Sequence, residues 1–310
     1  MILTLTLNPA IDMNYQLDRL NINTVNRCDH VIKTAGGKGL NVTRVLKCAG
    51  ADVCATGFLG GKTGEFIKQQ LDMGSIHHRF VPIKGNTRHC LAIMHEGNQT
   101  EILEGGPTIS PQEAQAFLDT YDRLLERATV VTASGSLPKG LSNVFYRQLI
   151  EKAAAKGKKF LLDTSGETLK SAIEARPYLI KPNWHELEAV VGTKLTTLAN
   201  ILAEVIKLSA LHVPFVVVSL GKDGAIGCAD GRAFMARPPE VRAVNPVGSG
   251  DSMIAGLAYG LEKGLTPEDS LVYGVAFGTL NAMAEKTGWI DARKIEAIVR
   301  QVTVNSVMHA

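Results

Sequence analysis

The chain has 310 residues, 45% of them hydrophobic and 20% charged, with a formal net charge of only +3. That is the composition of a folded domain with room for a substantial core, and without a Lys/Arg run it gives no sign of a nucleic-acid or membrane-surface partner. The five cysteines are odd in number and scattered, with no C-x-x-C pair, so they read as free thiols of a reducing cytoplasm and not as a disulfide framework or zinc site.

Residues 2–7 are an apolar, β-branched run stopped by Asn8-Pro9, which predicts a strand leading into a loop. No basic n-region precedes it, so no signal peptide is expected, and no apolar run reaches membrane-spanning length. Residues 11–34 are polar and irregular and predict short strands projecting from the main body. Gly36-Gly37-Lys38-Gly39 then opens a helix over 40–49, stopped by Gly50. A strand over 53–59 and a helix over 64–72, ended at Gly74, lead to a second irregular β region over 78–103. From Ser110 the chain alternates regularly: helix 111–127, strand 130–131, helix 143–156, strand 160–163, helix 198–210, strand 214–220. Such alternation predicts an α/β fold, with a mostly parallel central sheet covered on both faces. One domain over 1–310 is expected, with a small β appendage made by the two excursions. Ligands of such sheets bind at the carboxyl ends of the strands, where the polar clusters 8–12, 134–136, Asp163, 181–186 and 219–224 fall.

Five stretches carry candidate chemistry. In Asn245-Pro246-Val247-Gly248-Ser249-Gly250-Asp251, proline and glycine bend the chain just before small apolar residues at helical spacing. Such a loop delivers consecutive backbone N–H groups to a helix start, a natural anion site, where Asp251 is either an N-cap or a catalytic base. Gly36-Gly37-Lys38-Gly39-Leu40-Asn41 reads as close backbone approach to a hydroxyl-rich or phosphorylated ligand, with Lys38 and Asn41 supplying side chains. It is not a dinucleotide fingerprint, because the third glycine of G-x-G-x-x-G would fall at Val42. Between Gly57 and Gly61-Lys62-Thr63 stand only three residues, one short of a Walker A loop, so a tight strand-to-helix turn is expected. Asn183 and Glu186 share one face of a helix's first turn and could hold water-bound Mg²⁺ or form a capping box. Ser219-Leu220-Gly221-Lys222-Asp223-Gly224 could cradle nucleotide phosphates or turn a hairpin into 225–228. His77, His78, His89 and His95 lack the spacing of a zinc site, and no G-x-S-x-G elbow supports a hydrolase.

Together these motifs resemble a known family. The 36–41 cluster, with Gly50 and Gly60 following, resembles the N-terminal signature of the PfkB (ribokinase-like) carbohydrate kinases, and 245–258 resembles their C-terminal signature. Asn183-x-x-Glu186 and Ser219-x-Gly221-x-x-Gly224 fall where that family has its Mg²⁺/phosphate and nucleotide motifs. Thr4-Leu5-Thr6-Leu7-Asn8-Pro9-Ala10-Ile11-Asp12 is similar to the phosphofructokinase branch, and residues 34–46, 99–104 and 245–251 to its tagatose-6-phosphate kinases. Asn86-Thr87-Arg88-His89-Cys90 departs from the Gly-Glu-Thr-Arg-Asn-Cys of those relatives, losing a Glu and an Asn.

The resemblance implies a ribokinase-like three-layer sandwich with a small β-sheet lid drawn from about 11–34 and 78–104. It implies ATP-dependent phosphorylation of a ketohexose phosphate: D-tagatose 6-phosphate to the 1,6-bisphosphate or, in the alternative, fructose 1-phosphate, with fructose 6-phosphate third. Asp251 would be the base, and the N–H groups of Gly248, Ser249 and Gly250 the anion hole. Asp12, Gly36, Gly37, Lys38 and Asn41 would hold the sugar, while Arg27, Lys38 and Arg88 are candidates for its existing phosphate, with Ser136 also on the substrate. Lys181, Asn183, Ser219, Gly221 and Gly224 would contact ATP, Glu186 would organise Mg²⁺, and Asn281 would line the adenine end. A homodimer through the lid is expected. Two readings compete. A nicotinamide oxidoreductase is disfavoured by the broken glycine fingerprint, and a silent sugar-phosphate sensor by retention of Asp251 with the entire loop.

Overall fold

The computed structural model of the chain describes residues 1–307. In order, the elements are β1 (Ile2–Thr6), β2 (Ala10–Gln16), β3 (His30–Gly36), α1 (Lys38–Cys48), β4 (Val53–Gly60), α2 (Gly61–Met73) and β5 (His77–Ile83). Then come β6 (Arg88–His95), β7 (Asn98–Leu103), α3 (Pro111–Leu125), β8 (Val130–Ser134), α4 (Phe145–Ala155), β9 (Lys159–Asp163), α5 (Gly166–Ile173) and β10 (Leu179–Ile180). The chain continues through α6 (Trp184–Val191), α7 (Leu198–Leu211), β11 (Phe215–Ser219), β12 (Ala225–Ala229), β13 (Arg232–Arg237), α8 (Ser249–Glu262), α9 (Pro267–Ala282), α10 (Ile295–Val299) and β14 (Thr303–Ser306).

Ten strands form one sheet in the order β14-β13-β12-β11-β10-β9-β8-β1-β4-β5. It is parallel from β11 to β5, and its other edge, β12 to β14, is antiparallel. Parallel strands need crossover helices, and these cover both faces, so β1, β4 and β8 are buried along their whole length. One core packs Leu3, Leu5, Phe58 and Val216 against Phe117, Tyr121, Leu149 and Leu187 of α3, α4 and α6. A second packs Ile2, Leu161 and Val217 against Val42, Val45, Ile254, Leu257 and Phe277 of α1, α8 and α9, and a smaller third gathers Leu40, Leu59, Ile67 and Leu71. α8 and α9 approach so closely that a Cβ at Gly256 would stand 2.3 Å from the Tyr273 carbonyl oxygen. Among the described residues no helix is long and apolar enough to cross a membrane.

A second, four-stranded sheet has the order β3-β2-β6-β7, with β2 and β6 parallel in the register Asp12↔Cys90. Here the structure corrects the sequence expectation for the lid. His77–Ile83 is not part of it but the edge strand of the main sheet, in parallel register from Cys54↔His77 to Gly60↔Ile83. The reason is the crossover through α2, which returns the chain alongside β4 and buries Val81 and Ile83 in the core. The tight turn expected at Gly57–Thr63 is the β4–α2 junction, where Gly61 has φ +64°. α1 starts at Lys38, two residues earlier than its apolar pattern, because Gly37 takes φ +106° and frees the next residues to turn at once.

Candidate active site

The carboxyl ends of β1, β8, β9 and β10 face the N-termini of α1 and α8. The loop before α8 is held at several points. Asn245 accepts from the Val247 N–H (3.0 Å) and donates from Nδ2 to the Glu285 carbonyl and to Thr287 Oγ1, both at 3.1 Å. Gly248, at φ +84°, is the αL residue that starts the helix. The anion hole expected from Gly248, Ser249 and Gly250 needs one correction: the Ser249 N–H donates to the Pro246 carbonyl at 3.2 Å. No hydrogen bond among the described residues takes up the N–H groups of Gly248, Gly250 and Asp251, so these are the donors left at the helix start.

Asp251 is not an N-cap. It lies in the first turn of α8, is only 6% exposed, and its Oδ2 accepts from Asn41 Nδ2 at 2.7 Å. Burial, with the nearby Asp163 carboxylate second, pushes its carboxyl up to about 6, against the opposing Asn41 hydrogen bond and the Lys38 and Lys181 ammonium groups. A carboxylate poised there can take a proton at neutral pH. Phosphoryl transfer by this site should therefore fall off on the acid side: kcat/KM should lose about tenfold per pH unit below about 6, as Asp251 becomes protonated. A flat profile down to pH 5 would contradict this reading of the site.

Two buried residues flank Asp251. Asp163 ends β9 and Lys181 follows β10; they are 3% and 4% exposed and lie 3.5 Å apart. The Lys181 ammonium also stands 3.5 Å from where a Gly250 side chain would begin, beside the helix start. Lys38, in the first turn of α1, has its ammonium pKa raised chiefly by Asp163, then by Asp251 and Glu186, against the opposing effect of burial. Asp163 marked a sheet-end cluster in the sequence without an assigned role, because one carboxylate after a strand has no motif around it.

The candidate sugar ligands meet around α1. The Asp12 carboxylate fills the space beside Gly36, where a Cβ would stand 2.0 Å from Asp12 Cγ. Burial raises its pKa, opposed by Arg44, the Gly37 N–H and Arg88. Arg88 donates to the Glu104 carbonyl (2.8 Å) and the Asn8 carbonyl (3.0 Å), while its buried Nε has no partner. Beside it opens a cavity of about 690 Å³ whose walls include Lys62, Thr63, Arg88 and Gly106. Ser136 is exposed and accepts from Asn8 Nδ2 at 3.3 Å. Arg27 is not brought to this cluster: it is exposed on the β2–β3 loop, and no hydrogen bond among the described residues ties it to the others.

On the nucleotide side, Asn183 and Glu186 make the capping box: Glu186 N–H to Asn183 Oδ1 at 2.8 Å, and Asn183 N–H to Glu186 Oε2 at 2.9 Å. Ser219 lies against Asn183, and Gly221 and Gly224 turn the β11–β12 hairpin at φ +62° and +95°. Asn183, Ser219 and Gly221, with Trp184, Leu198 and Met235, border a cavity of about 430 Å³. Asn281, expected at the adenine end, is fully buried with both amide ends engaged. Its Nδ2 donates to the Val247 carbonyl (2.9 Å) and Ser249 Oγ (3.3 Å), and its Oδ1 accepts from the Gly288 N–H (2.9 Å). In this structure it holds the anion loop. Among the described residues no three His, Cys, Asp or Glu side chains gather as a metal cage.

Known proteins share this architecture. A tagatose-6-phosphate kinase from Staphylococcus epidermidis is 44% identical over 99% of this chain and all of its own length. The structure of phosphofructokinase-2 from Escherichia coli in complex with fructose-6-phosphate superposes with a TM-score of 0.89 at 28% identity, covering 96% of this chain and 98% of that one. A possible 1-phosphofructokinase from Thermotoga maritima gives 0.86 at 25% identity, covering 99% of both chains. The pattern of the pfkB family carbohydrate kinases spans residues 5–291, across both glycine loops and Asp251, and the chain belongs to that family as a phosphotransferase.

Proposed function

We propose that the chain transfers the γ-phosphoryl group of MgATP to D-tagatose 6-phosphate, giving D-tagatose 1,6-bisphosphate and ADP. The observation behind the chemistry is the buried Asp251 carboxyl, held near 6 beside the unpartnered N–H groups that start α8. Phosphoryl transfer asks chiefly for alignment and charge neutralisation. Asp251 takes the proton of the attacking hydroxyl. The Gly250 and Asp251 N–H groups and the Lys181 ammonium face the charge on the moving phosphoryl group, and Lys38 approaches from α1. Asp12, Gly37 and Asn41 hold the sugar. Bound together with ATP, Mg²⁺ would supply positive charge against the phosphates. Glu186 fits as its outer ligand, since Mg²⁺ keeps several waters and only Oε2 of this carboxylate is engaged in the capping box.

The choice of sugar rests on the 44% identity to the Staphylococcus epidermidis enzyme along the entire chain. The Escherichia coli complex favours a second reading, fructose 6-phosphate, whose shape differs at one hydroxyl. ³¹P NMR of the reaction mixture tests the proposal: a new phosphate ester should grow on tagatose 6-phosphate in step with ADP, and ADP without that ester would overturn it. Arg88 is the site for the phosphate already on the sugar, because its guanidinium fork can pair two oxygens. Arg88→Ala should raise the KM for the sugar phosphate about 10–100-fold, the worth of one or two charged hydrogen bonds, with the KM for ATP unchanged. A rise in the ATP value alone would contradict the assignment.

We also infer a homodimer through the small sheet. Its edge strands β3 and β7 are open and carry exposed Ile32, Ile102 and Leu103, with Ile22 and Val25 on the adjoining loop. Sedimentation of the protein as a monomer at assay concentration would rule this out.

A further inference from the structure

Arg44 lies one turn beyond Asn41 on α1 and carried no signal in the sequence. Its guanidinium is nevertheless turned inward, Nη1 donating to the Ala35 carbonyl and Nη2 to Asn41 Oδ1. The same Asn41 side chain donates from Nδ2 to Asp251 Oδ2 at 2.7 Å. Three side chains thus form one line, from cation through amide to carboxylate. A guanidinium has donors only, so the amide end facing it must be oxygen, and the end facing Asp251 must then be the NH₂. Gly288 backs the amide closely, since a Cβ there would stand 3.0 Å from both Cβ and Oδ1 of Asn41.

We propose that Arg44 is a positioning residue: it fixes the orientation of the Asn41 amide and so keeps a hydrogen-bond donor, never an acceptor, against the Asp251 carboxylate. The proposal rests on the reading of Asp251 as the base. The other charged groups facing Asp251 are Asp163 at the end of β9, Lys38 on α1 and Lys181 after β10, while Arg44 itself faces Asp12 as well. Asp163 pushes Asp251 toward its protonated form; the two lysines and the Asn41 donor push it the other way. Without Arg44 the amide can turn its oxygen to Asp251, where it would accept from the protonated carboxyl and favour that form.

A ¹³C NMR titration of the Asp251 carboxyl in the full-length protein, assigned through Asp251→Asn, reads this without turnover. Arg44→Met should raise the midpoint by about one pH unit, the scale of a hydrogen bond to a charged group. Arg44→Lys, which keeps a donor-only cation, should raise it less. In an Asn41→Ala background Arg44→Met should add only the small effect of a distant charge. An unchanged midpoint, or an equal shift in both backgrounds, would overturn the proposal, the latter assigning the effect to charge alone. Should Arg44→Met not fold, the unmodified protein decides: the Asn41 Nδ2 protons should shift as Asp251 titrates, and Nδ2 protons indifferent to it would overturn the orientation. The acid limb of kcat/KM should move with the midpoint. A midpoint that moves while the rate profile stays fixed supports the Arg44 role and removes Asp251 as the base.

Discussion

Asp251→Asn should lower kcat by about 10²–10⁴-fold, the worth of a positioned base, while both substrates still bind. Asparagine keeps the size of the side chain and an oxygen able to accept from Asn41 Nδ2, so the α8 loop should stay in place. What it loses is the ability to take a proton. The same variant should be more stable at neutral pH, and the sign follows from burial. The folded carboxyl sits near 6 against an ordinary 3.8, so its ionised form is penalised in the fold. That penalty is absent below about pH 3.8, grows as pH rises, and is complete above about 6; at about two pH units it amounts to about 3 kcal/mol. The variant lacks it, and its Tm at pH 8 should rise by several degrees, with the gain vanishing toward pH 4. A catalytic residue that lowers stability is the trade expected of a buried base. Loss of activity with an equal loss of Tm would instead point to a structural role.

Gly248→Ala should be the next most damaging change. Gly248 stands at φ +84°, where a side chain costs about 1–2 kcal/mol, and its new methyl would meet Thr287 Cγ2 at 2.7 Å and the Gly288 N at 3.2 Å. Thr287 and Gly288 belong to the segment that Asn245 and Asn281 tie to the loop, so relief must come from moving the loop itself. The donors at the start of α8 would then miss the phosphoryl oxygens, and kcat should fall about 10²–10³-fold, as for a lost donor in other anion holes. Gly264, just past the other end of α8, supplies the control. It has φ +77° and nothing within 4 Å of a new Cβ, so Gly264→Ala should cost about 1–2 kcal/mol of stability and leave kcat unchanged. Equal effects of the two substitutions on kcat would show that strain, not the loop, is what matters.

The alternation of helices and strands was legible because parallel strands buried on both faces read as short apolar runs between amphipathic helices. The loop ahead of Asp251 was legible for a different reason: proline, two glycines and an acid at a helix start have few other uses. What stayed hidden depends on contacts far apart in sequence. His77–Ile83 looked like part of the small sheet because its local pattern is mixed, and only pairing with β4 decides which sheet it joins. Asn183 and Glu186 fitted a cap more readily than a metal ligand, and the two readings use the same side chains on the same turn. Asn281 carried no local sign that its amide closes on a loop more than thirty residues earlier. Arg44 and Asp163 drew no assignment because their links to Asp251 are tertiary, Arg44 through the Asn41 amide and Asp163 through space from the end of β9. Arg27 stands exposed on the β2–β3 loop, and no hydrogen bond among the described residues ties it to Lys38 or Arg88.

The most direct measurement is kcat/KM in an ADP-release assay with tagatose 6-phosphate, fructose 1-phosphate and fructose 6-phosphate offered separately at saturating MgATP. Tagatose 6-phosphate should be preferred over each of the others, and Asp251→Asn should lower turnover with all three by about 10²–10⁴-fold. A preference for fructose 1-phosphate or fructose 6-phosphate would contradict the assigned substrate, and turnover of none would contradict the kinase itself.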